Sequence, residues 1–358
     1  MKLLAKIFLS PFVAIYAFVI ACINFLYAQK LLRPVYFDSP IICVGNLSTG
    51  GSGKTPHVDY LINLLKAHYP LGVLSRGYRR STSGFREVHT NSTAKEVGDE
   101  ALLCKWKHPD IEVVVAENRA LAIPQLLSEK ESNFVVLMDD GFQHRSVRAG
   151  LNIILSPYHL LYTRDELLPW GNLREFSSGA KRADIIVVSH CPLNLSLEEK
   201  AKIKQELQLE TYQHVFFSSL QYLPYYRVFQ GIPSAVQLPS KSKILLLSGI
   251  ANNSKMEEKL KEDFEEVFSR SFSDHHYFST QDIESIIQTY NNIPGDTKYL
   301  VTTEKDLPRL QEYAASFNEA KIPVICLPIK INFGEEKERF ENIIKFYIEK
   351  SLEDYQQA

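Results

Sequence analysis

Residues 40–65 read PIICVGNLSTGGSGKTPHVDYLINLL. Pro40-Ile41-Ile42-Cys43-Val44 is a short apolar run and predicts a buried strand. Val58, Leu61, Ile62 and Leu65 then recur at helical spacing. Between strand and helix lie Gly50, Gly51 and Gly53, followed by Lys54 and Thr55. Strand, glycine loop and helix in that order are the setting a phosphate-binding loop requires. Glycines let successive backbone N–H groups turn toward phosphate oxygens. The helix N-terminus adds partial positive charge. On this reading Thr49, Gly50, Gly51, Ser52 and Gly53 cradle a nucleotide, Lys54 reaches its β- and γ-phosphates, and Thr55 ligates Mg²⁺. Pro56 suits the first helical turn. Ser48 stands where the usual loop pattern has its first glycine.

A second apolar run, Phe134 to Met138, ends in Asp139-Asp140-Gly141-Phe142-Gln143-His144. Carboxylates at the end of a buried parallel strand are where such enzymes hold Mg²⁺. Two adjacent carboxylates also repel unless a cation lies near. Further runs at 71–74, 113–115, 153–155 and 185–188, with helical spacing between some of them (Leu121, Ile123, Leu126, Leu127), predict an α/β doubly wound parallel sheet of the P-loop NTPase type. Ligand then binds beyond the carboxyl ends of the strands. Arg76 follows one such end and Arg119 another, which makes both candidates for a nucleotide or substrate phosphate.

The whole chain has 358 residues, enough for two domains or so. Lys and Arg total 40 and Asp and Glu total 42, which excludes a strongly nucleic-acid-coating chain. The five cysteines, Cys22, Cys43, Cys104, Cys191 and Cys326, form no C-x-x-C and no disulfide framework, so a reducing compartment fits.

Residues 7–29 carry no charge, and Lys2, Lys6, Lys30 and Arg33 flank them. The stretch is long enough for a helix that crosses a hydrocarbon core of about 30 Å. Its apolar residues lie all round the helix, which predicts burial in lipid or protein. A cleaved signal peptide also fits the pattern, and Val19-Ile20-Ala21-Cys22 resembles a lipoprotein cleavage site. Export would carry the nucleotide site to where there is no ATP. A buried core helix is the other competing reading. The reading adopted is membrane association, with spanning and interfacial placement both open because positive charge lies on both sides.

These residues together resemble the tetraacyldisaccharide 4′-kinases of Gram-negative bacteria. The stretches that carry the likeness are VGNLSTGGSGKTP (44–56), SRGYRR (75–80), GDE (98–100), DDGFQHR (139–145), LLPWGNLRE (167–175), DHHYF (274–278) and TTEKD (302–306). The family shares the missing first glycine of the loop. Asn172 and Phe176 depart from prolines usual in it. The resemblance implies an ATP- and Mg²⁺-dependent kinase that phosphorylates the 4′-hydroxyl of a tetraacylated glucosamine disaccharide 1-phosphate, giving lipid IVA in lipid A biosynthesis. It implies work at the cytoplasmic face of the inner membrane, on an acylated lipid and on no nucleic acid. It points to Asp99 as the base, with His275 as its partner in a charged His–Asp pair. It further implies phosphate or substrate contacts from Arg174 and Tyr78, and a Mg²⁺ contact from Glu175 beside Asp139 and Asp140.

Three units are expected: a membrane-associating helix at 1–33, the P-loop kinase domain at 34–228 and a smaller α/β domain at 229–358. Phe216 to Val228 reads as strands of a linker, and Gly231-Ile232-Pro233 as a break. Runs at 244–247, 299–303 and 324–327 supply the second sheet, and Lys255 to Glu266 a solvated helix with Met256, Leu260 and Phe264 inward. A pairing of His275 with Asp99 would bring the two domains together over the substrate. The alternative is a regulatory or metal-handling P-loop GTPase. Thr303-Glu304-Lys305-Asp306 approaches its Asn-Lys-x-Asp guanine motif, but the Asn is absent and the Lys falls one place late.

Overall fold

The computed structural model describes residues 2–131, 133–229 and 234–356; the expected break at Gly231-Ile232-Pro233 lies outside the described residues. Its first sheet has eight strands: β1 (Ile41–Asn46), β2 (Leu71–Ser75), β3 (Arg86–Glu87), β4 (Glu112–Val115), β5 (Val135–Asp139), β6 (Leu151–Pro157), β7 (Ile185–Ser189) and β8 (His214–Phe217). In space they run β3-β4-β2-β5-β1-β6-β7-β8. All pair in parallel except the short edge strand β3.

Successive residues of a strand face opposite sides of its sheet. Ile42 and Val44 of β1 thus pack in one core with Val58, Leu61 and Leu65. Ile41 and Cys43 pack in the other with Ile123, Leu126 and Ile203. Helices α1 (Lys2–Ala28), α2 (Lys54–Leu65), α3 (Ala94–Val97), α4 (Asp99–Lys107), α5 (Arg119–Leu127) and α6 (Leu197–Leu207) belong to this half. Burial on both faces explains why these strands read as unbroken apolar runs.

Beyond β8 come β9 (Ser219–Tyr222), β10 (Tyr226–Arg227), β11 (Ser234–Ala235), β12 (Lys243–Ser248), β13 (Glu266–Ser271), β14 (Lys298–Thr303), β15 (Val324–Leu327) and β16 (Ile329–Asn332). The second sheet runs β11-β10-β15-β14-β12-β13, and β9 pairs with β16 in a separate ribbon. Helices α7 (Ser254–Asp263), α8 (Thr280–Asn292), α9 (Leu307–Leu310), α10 (Ala314–Glu319) and α11 (Lys337–Gln356) complete the described chain. Met256, Leu260 and Phe264 are buried, as their spacing requires.

Two expectations are corrected. Residues 216–228 are not merely linker strands: β8 closes the edge of the first sheet, β9 makes the ribbon and β10 joins the second sheet. Nor does the second unit keep the chain to its end. Ile331, Phe333, Phe340, Ile344 and Ile348 pack in the first sheet's core beside Ile42 and Val44. The antiparallel ribbon turns the chain back toward the first sheet, and α11 covers that face.

Helix α1 has 27 residues and Pro11 within it. At 1.5 Å per residue it is about 40 Å long. Most of its large apolar side chains face outward: Phe8 is 75% exposed, Phe12 58%, Ile15 64% and Phe18 70%, while Val13 is buried. The buried-core reading of this segment therefore falls.

Candidate active site

Strand β1 ends at Asn46, and α2 begins at Lys54. The loop between them takes its shape from left-handed glycines, with φ 97° at Gly50 and 85° at Gly53. Asn46 is the brace the sequence reading missed. Its side chain donates to Ser52 Oγ (3.0 Å) and accepts from Lys54 Nζ (3.2 Å). Ser189 Oγ donates to Ser52 O at 2.8 Å from β7. On the other flank Ser48 bridges Leu173, and Thr49 N donates to Asn172 O at 2.7 Å. The segment containing the unusual Asn172 thus lies directly on the loop.

Because β5 neighbours β1, with Val44 level with Asp139, the two carboxylates come to the same edge as the loop. They are in opposite electrostatic states. Asp140 adopts φ 49° and faces Arg174 Nη2 (2.9 Å) and Lys54 Nζ (3.7 Å). Burial acts to raise its pKa, but the Lys54 and Arg174 charges hold it down at about 2. Burial, with the Glu100 and Asp140 charges, pushes Asp139 up to about 7. Its buried Oδ1 makes no hydrogen bond among the described residues.

The GDE and DHHYF stretches meet across the two units. His275 Nδ1 lies 2.8 Å from Asp99 Oδ2, 176 positions away. Glu100 N donates to Asp99 Oδ1 (2.9 Å), and Arg309 Nε lies 3.3 Å from Oδ2. Asp99 is 3% exposed, and burial works to raise its pKa; the His275 bond and the Arg309 and Lys305 charges outweigh burial and lower it. Arg79 Nη1 donates to the carbonyls of His275 (2.9 Å) and Asp274 (3.2 Å), and the Tyr78 ring meets the imidazole edge-on at 4.9 Å. His276 instead pairs with Asp282 at 3.1 Å. Arg79, Asp140 and His275 are all non-glycine residues with positive φ (58°, 49° and 56°), a costly conformation that gathers at working sites. The units are further joined by Lys107, 3.1 Å from both Asp59 on α2 and Glu304.

The remaining candidates divide. Arg119 is no surface charge: it is fully buried, donates Nη1 to Ala116 O, and leaves Nε and Nη2 without a hydrogen bond among the described residues. Burial lowers its pKa to about 10 against the pull of Asp139 and Asp140. Arg76 and Tyr78 are exposed after β2. Arg174 is drawn to Asp140 and Asn46. Glu175, expected at the metal, has both oxygens engaged: Arg182 at 2.9 Å and 3.0 Å, and Gln143 at 2.9 Å. Its carboxylate is committed to Arg182 and Gln143 in this structure. Asp306, the GTPase candidate, is fully buried on Arg309 (2.5 Å), Thr303 Oγ1 (2.6 Å) and Gly249 N (3.1 Å). It faces inward and reads no base.

A phosphate loop, unbalanced carboxylates and a buried acid–histidine pair on one sheet edge belong to phosphotransferases of the P-loop class. Comparison with known proteins narrows the class. The profile of the family tetraacyldisaccharide-1-P 4′-kinase matches residues 5–349. The tetraacyldisaccharide 4′-kinase of Flavobacterium johnsoniae is 43% identical over 99% of this chain and 100% of its own. That of Parabacteroides distasonis is 39% identical over 97% and 96%. The crystal structure of LpxK from Aquifex aeolicus in complex with ATP superposes with a TM-score of 0.73, at 29% identity over 96% of this chain and 99% of that one. The chain belongs to the tetraacyldisaccharide-1-P 4′-kinase family.

Proposed function

We propose that this enzyme moves the γ-phosphoryl group of ATP to the 4′-hydroxyl of a tetraacylated glucosamine disaccharide 1-phosphate. The observation that carries the reading is the joint placement of the phosphate loop and the Asp99–His275 pair in a chain of this family. The hydroxyl oxygen forms the new bond to Pγ. The bond from Pγ to the β–γ bridging oxygen breaks, and its electron pair leaves with ADP. The hydroxyl proton passes to Asp99, held as a carboxylate by His275 and Arg309. Lys54 and the loop amides bind and orient the triphosphate.

Mg²⁺ fits the residues present. Asp139 offers a buried carboxylate oxygen with no hydrogen bond among the described residues, and Thr55 lies in the first turn of α2. Mg²⁺ takes only one or two protein carboxylates and completes its shell from phosphates and water. Thr55 and Asp139 would hold the ion, with Asp140 next to them. When bound, it neutralises charge developing on the phosphates.

The exposed apolar face of α1 supports contact with a membrane, and a lipid acceptor supports the same. In this reading residues 1–33 meet the bilayer, the first sheet with α11 binds nucleotide, and the second sheet supplies His275. The cytoplasmic face is the side where ATP is found. The test is incubation with γ-labelled ATP and the disaccharide lipid, then location of the phosphate, with GTP as competitor. Label on the 4′-oxygen, with ATP preferred, is expected. Label appearing only as inorganic phosphate, or a preference for GTP, overturns the proposal.

A further inference from the structure

His275 contacts more than Asp99. Lys305, in the turn Glu304–Asp306 after β14, brings Nζ to 3.0 Å from His275 Nε2. The same ammonium lies 3.1 Å from Asp274 Oδ1 and 3.4 Å from Glu100 Oε1. Burial works against its charge, but Glu100, Asp274 and Asp99 outweigh burial and raise its pKa. Lys305 is therefore protonated and has only donors to offer. A charged imidazolium likewise has only donors. The contact is a hydrogen bond only if Nε2 is the acceptor, which makes the ring neutral and leaves its single proton on Nδ1, the atom 2.8 Å from Asp99 Oδ2.

We infer that Lys305 is a positioning residue that fixes the tautomer of His275, so that the base is a three-member relay, Lys305 to His275 to Asp99, with a neutral histidine at its centre. The inference rests on the reading of Asp99 as base. It replaces the charged His–Asp pair expected from resemblance: the positive charge sits on Lys305 and Arg309, and histidine passes on a directed N–H. The turn is built to hold Lys305 there. Thr303 Oγ1 accepts from Asp306 N at 3.2 Å, Asp306 binds Arg309 at 2.5 Å, and Arg309 Nε returns to Asp99 at 3.3 Å. The groups set against the imidazole are Asp99, Lys305, Asp274 (3.8 Å from Nε2) and the Tyr78 edge, while Arg79 binds the His275 carbonyl.

The test uses the full chain labelled with [15N]histidine. A long-range 1H–15N correlation spectrum at working pH reads which ring nitrogen of His275 bears the proton, with the signal assigned by its loss in His275→Gln. Protonated Nδ1 and accepting Nε2 are expected. A ring protonated on Nε2, or on both nitrogens, overturns the inference, and this readout needs no variant of Lys305 to fold. In Lys305→Met the fixed tautomer should give way to a mixture, and kcat should fall tenfold or more while KM for ATP stays within twofold. Lys305→Arg, which keeps a charged donor, should recover much of the rate. A kcat within twofold of wild type in Lys305→Met also overturns it. Asp99→Asn separates the two readings: full turnover there removes Asp99 as base, whereas the spectrum still reports on Lys305 alone.

Discussion

At the scale of the single residue, Asp99 is the most exacting position. It is almost fully buried, yet it is kept ionised by one histidine, one arginine and one backbone N–H. Replacing it by Asn keeps the shape and removes the proposed proton acceptor. General-base catalysis contributes about 10²–10⁴ in rate, so Asp99→Asn should lower kcat by that order and leave KM for ATP little changed. Steady-state kinetics at saturating acceptor check this, and a loss under twofold would falsify the assignment. Lys54→Ala acts on the donor side and should abolish transfer. Gly45 tests a different demand. A Cβ there would stand 2.5 Å from Phe142 Cβ and 3.1 Å from its backbone N. Gly45→Ala should destabilise the fold by about 1–3 kcal/mol, read as a lower urea midpoint. The glycines at 50 and 53 were legible from the loop pattern, because they serve a local turn. The Asp99–His275 pair was not legible from any spacing, since its members are 176 positions apart. Only resemblance pointed to it. Asn46 and Arg309 escaped altogether, because a polar residue after a strand and an arginine in a short helix are ordinary until their partners are seen.

At the scale of the element, the strands of the first sheet were readable because helices cover both faces and leave unbroken apolar runs. The place of α11 was not. An amphipathic helix announces that it packs but not on what, and here its apolar stripe crosses back to the first sheet. Ile344 is fully buried in that contact. Ile344→Ala should cost about 2–5 kcal/mol, seen in urea unfolding of the first sheet. Helix α8 offers a pH test. Asp282 accepts from Ser279 N (2.8 Å) and from its hydroxyl (2.8 Å), closing a capping box. The Ser279 backbone bond first, then its hydroxyl and His276, lower the Asp282 pKa from 3.8 to about 2. A depressed folded pKa means stability that is fully present above the unfolded value and lost as pH falls through the folded one. The gap between wild type and Asp282→Asn, about 0.3–1 kcal/mol near neutrality, should therefore close between pH 3.8 and 2. Thermal melts across that window check it; a gap independent of pH counts against the charge.

At the scale of the whole molecule, α1, the proposed membrane helix, is also tied to the segment that carries Arg174. Tyr16 Oη donates to Arg174 O at 2.7 Å, and Arg174 is the residue that holds Asp140 at 2.9 Å. Farther along the helix Arg145 Nη1 donates to Asn24 Oδ1 at 2.6 Å and covers the Tyr27 ring at 4.1 Å. Hydropathy marked α1 as a candidate membrane helix, but nothing in the sequence joined it to residues more than a hundred positions away. Removing residues 1–29 should therefore do two things. Loss of the apolar surface should abolish co-sedimentation with phospholipid vesicles. Loss of the Tyr16 and Asn24 bonds should also slow turnover on an acceptor dispersed in detergent, where anchoring no longer matters. Tyr16→Phe isolates the second effect. It keeps the apolar helix and so should sediment with vesicles as wild type does. A net hydrogen bond of about 0.5–1.5 kcal/mol, if fully expressed in the transition state, corresponds to a rate loss of roughly twofold to tenfold. Should Tyr16→Phe and the deletion both turn over the dispersed acceptor at the wild-type rate, α1 is an anchor alone, and the 2.7 Å bond to Arg174 has no part in setting the loop that faces the nucleotide.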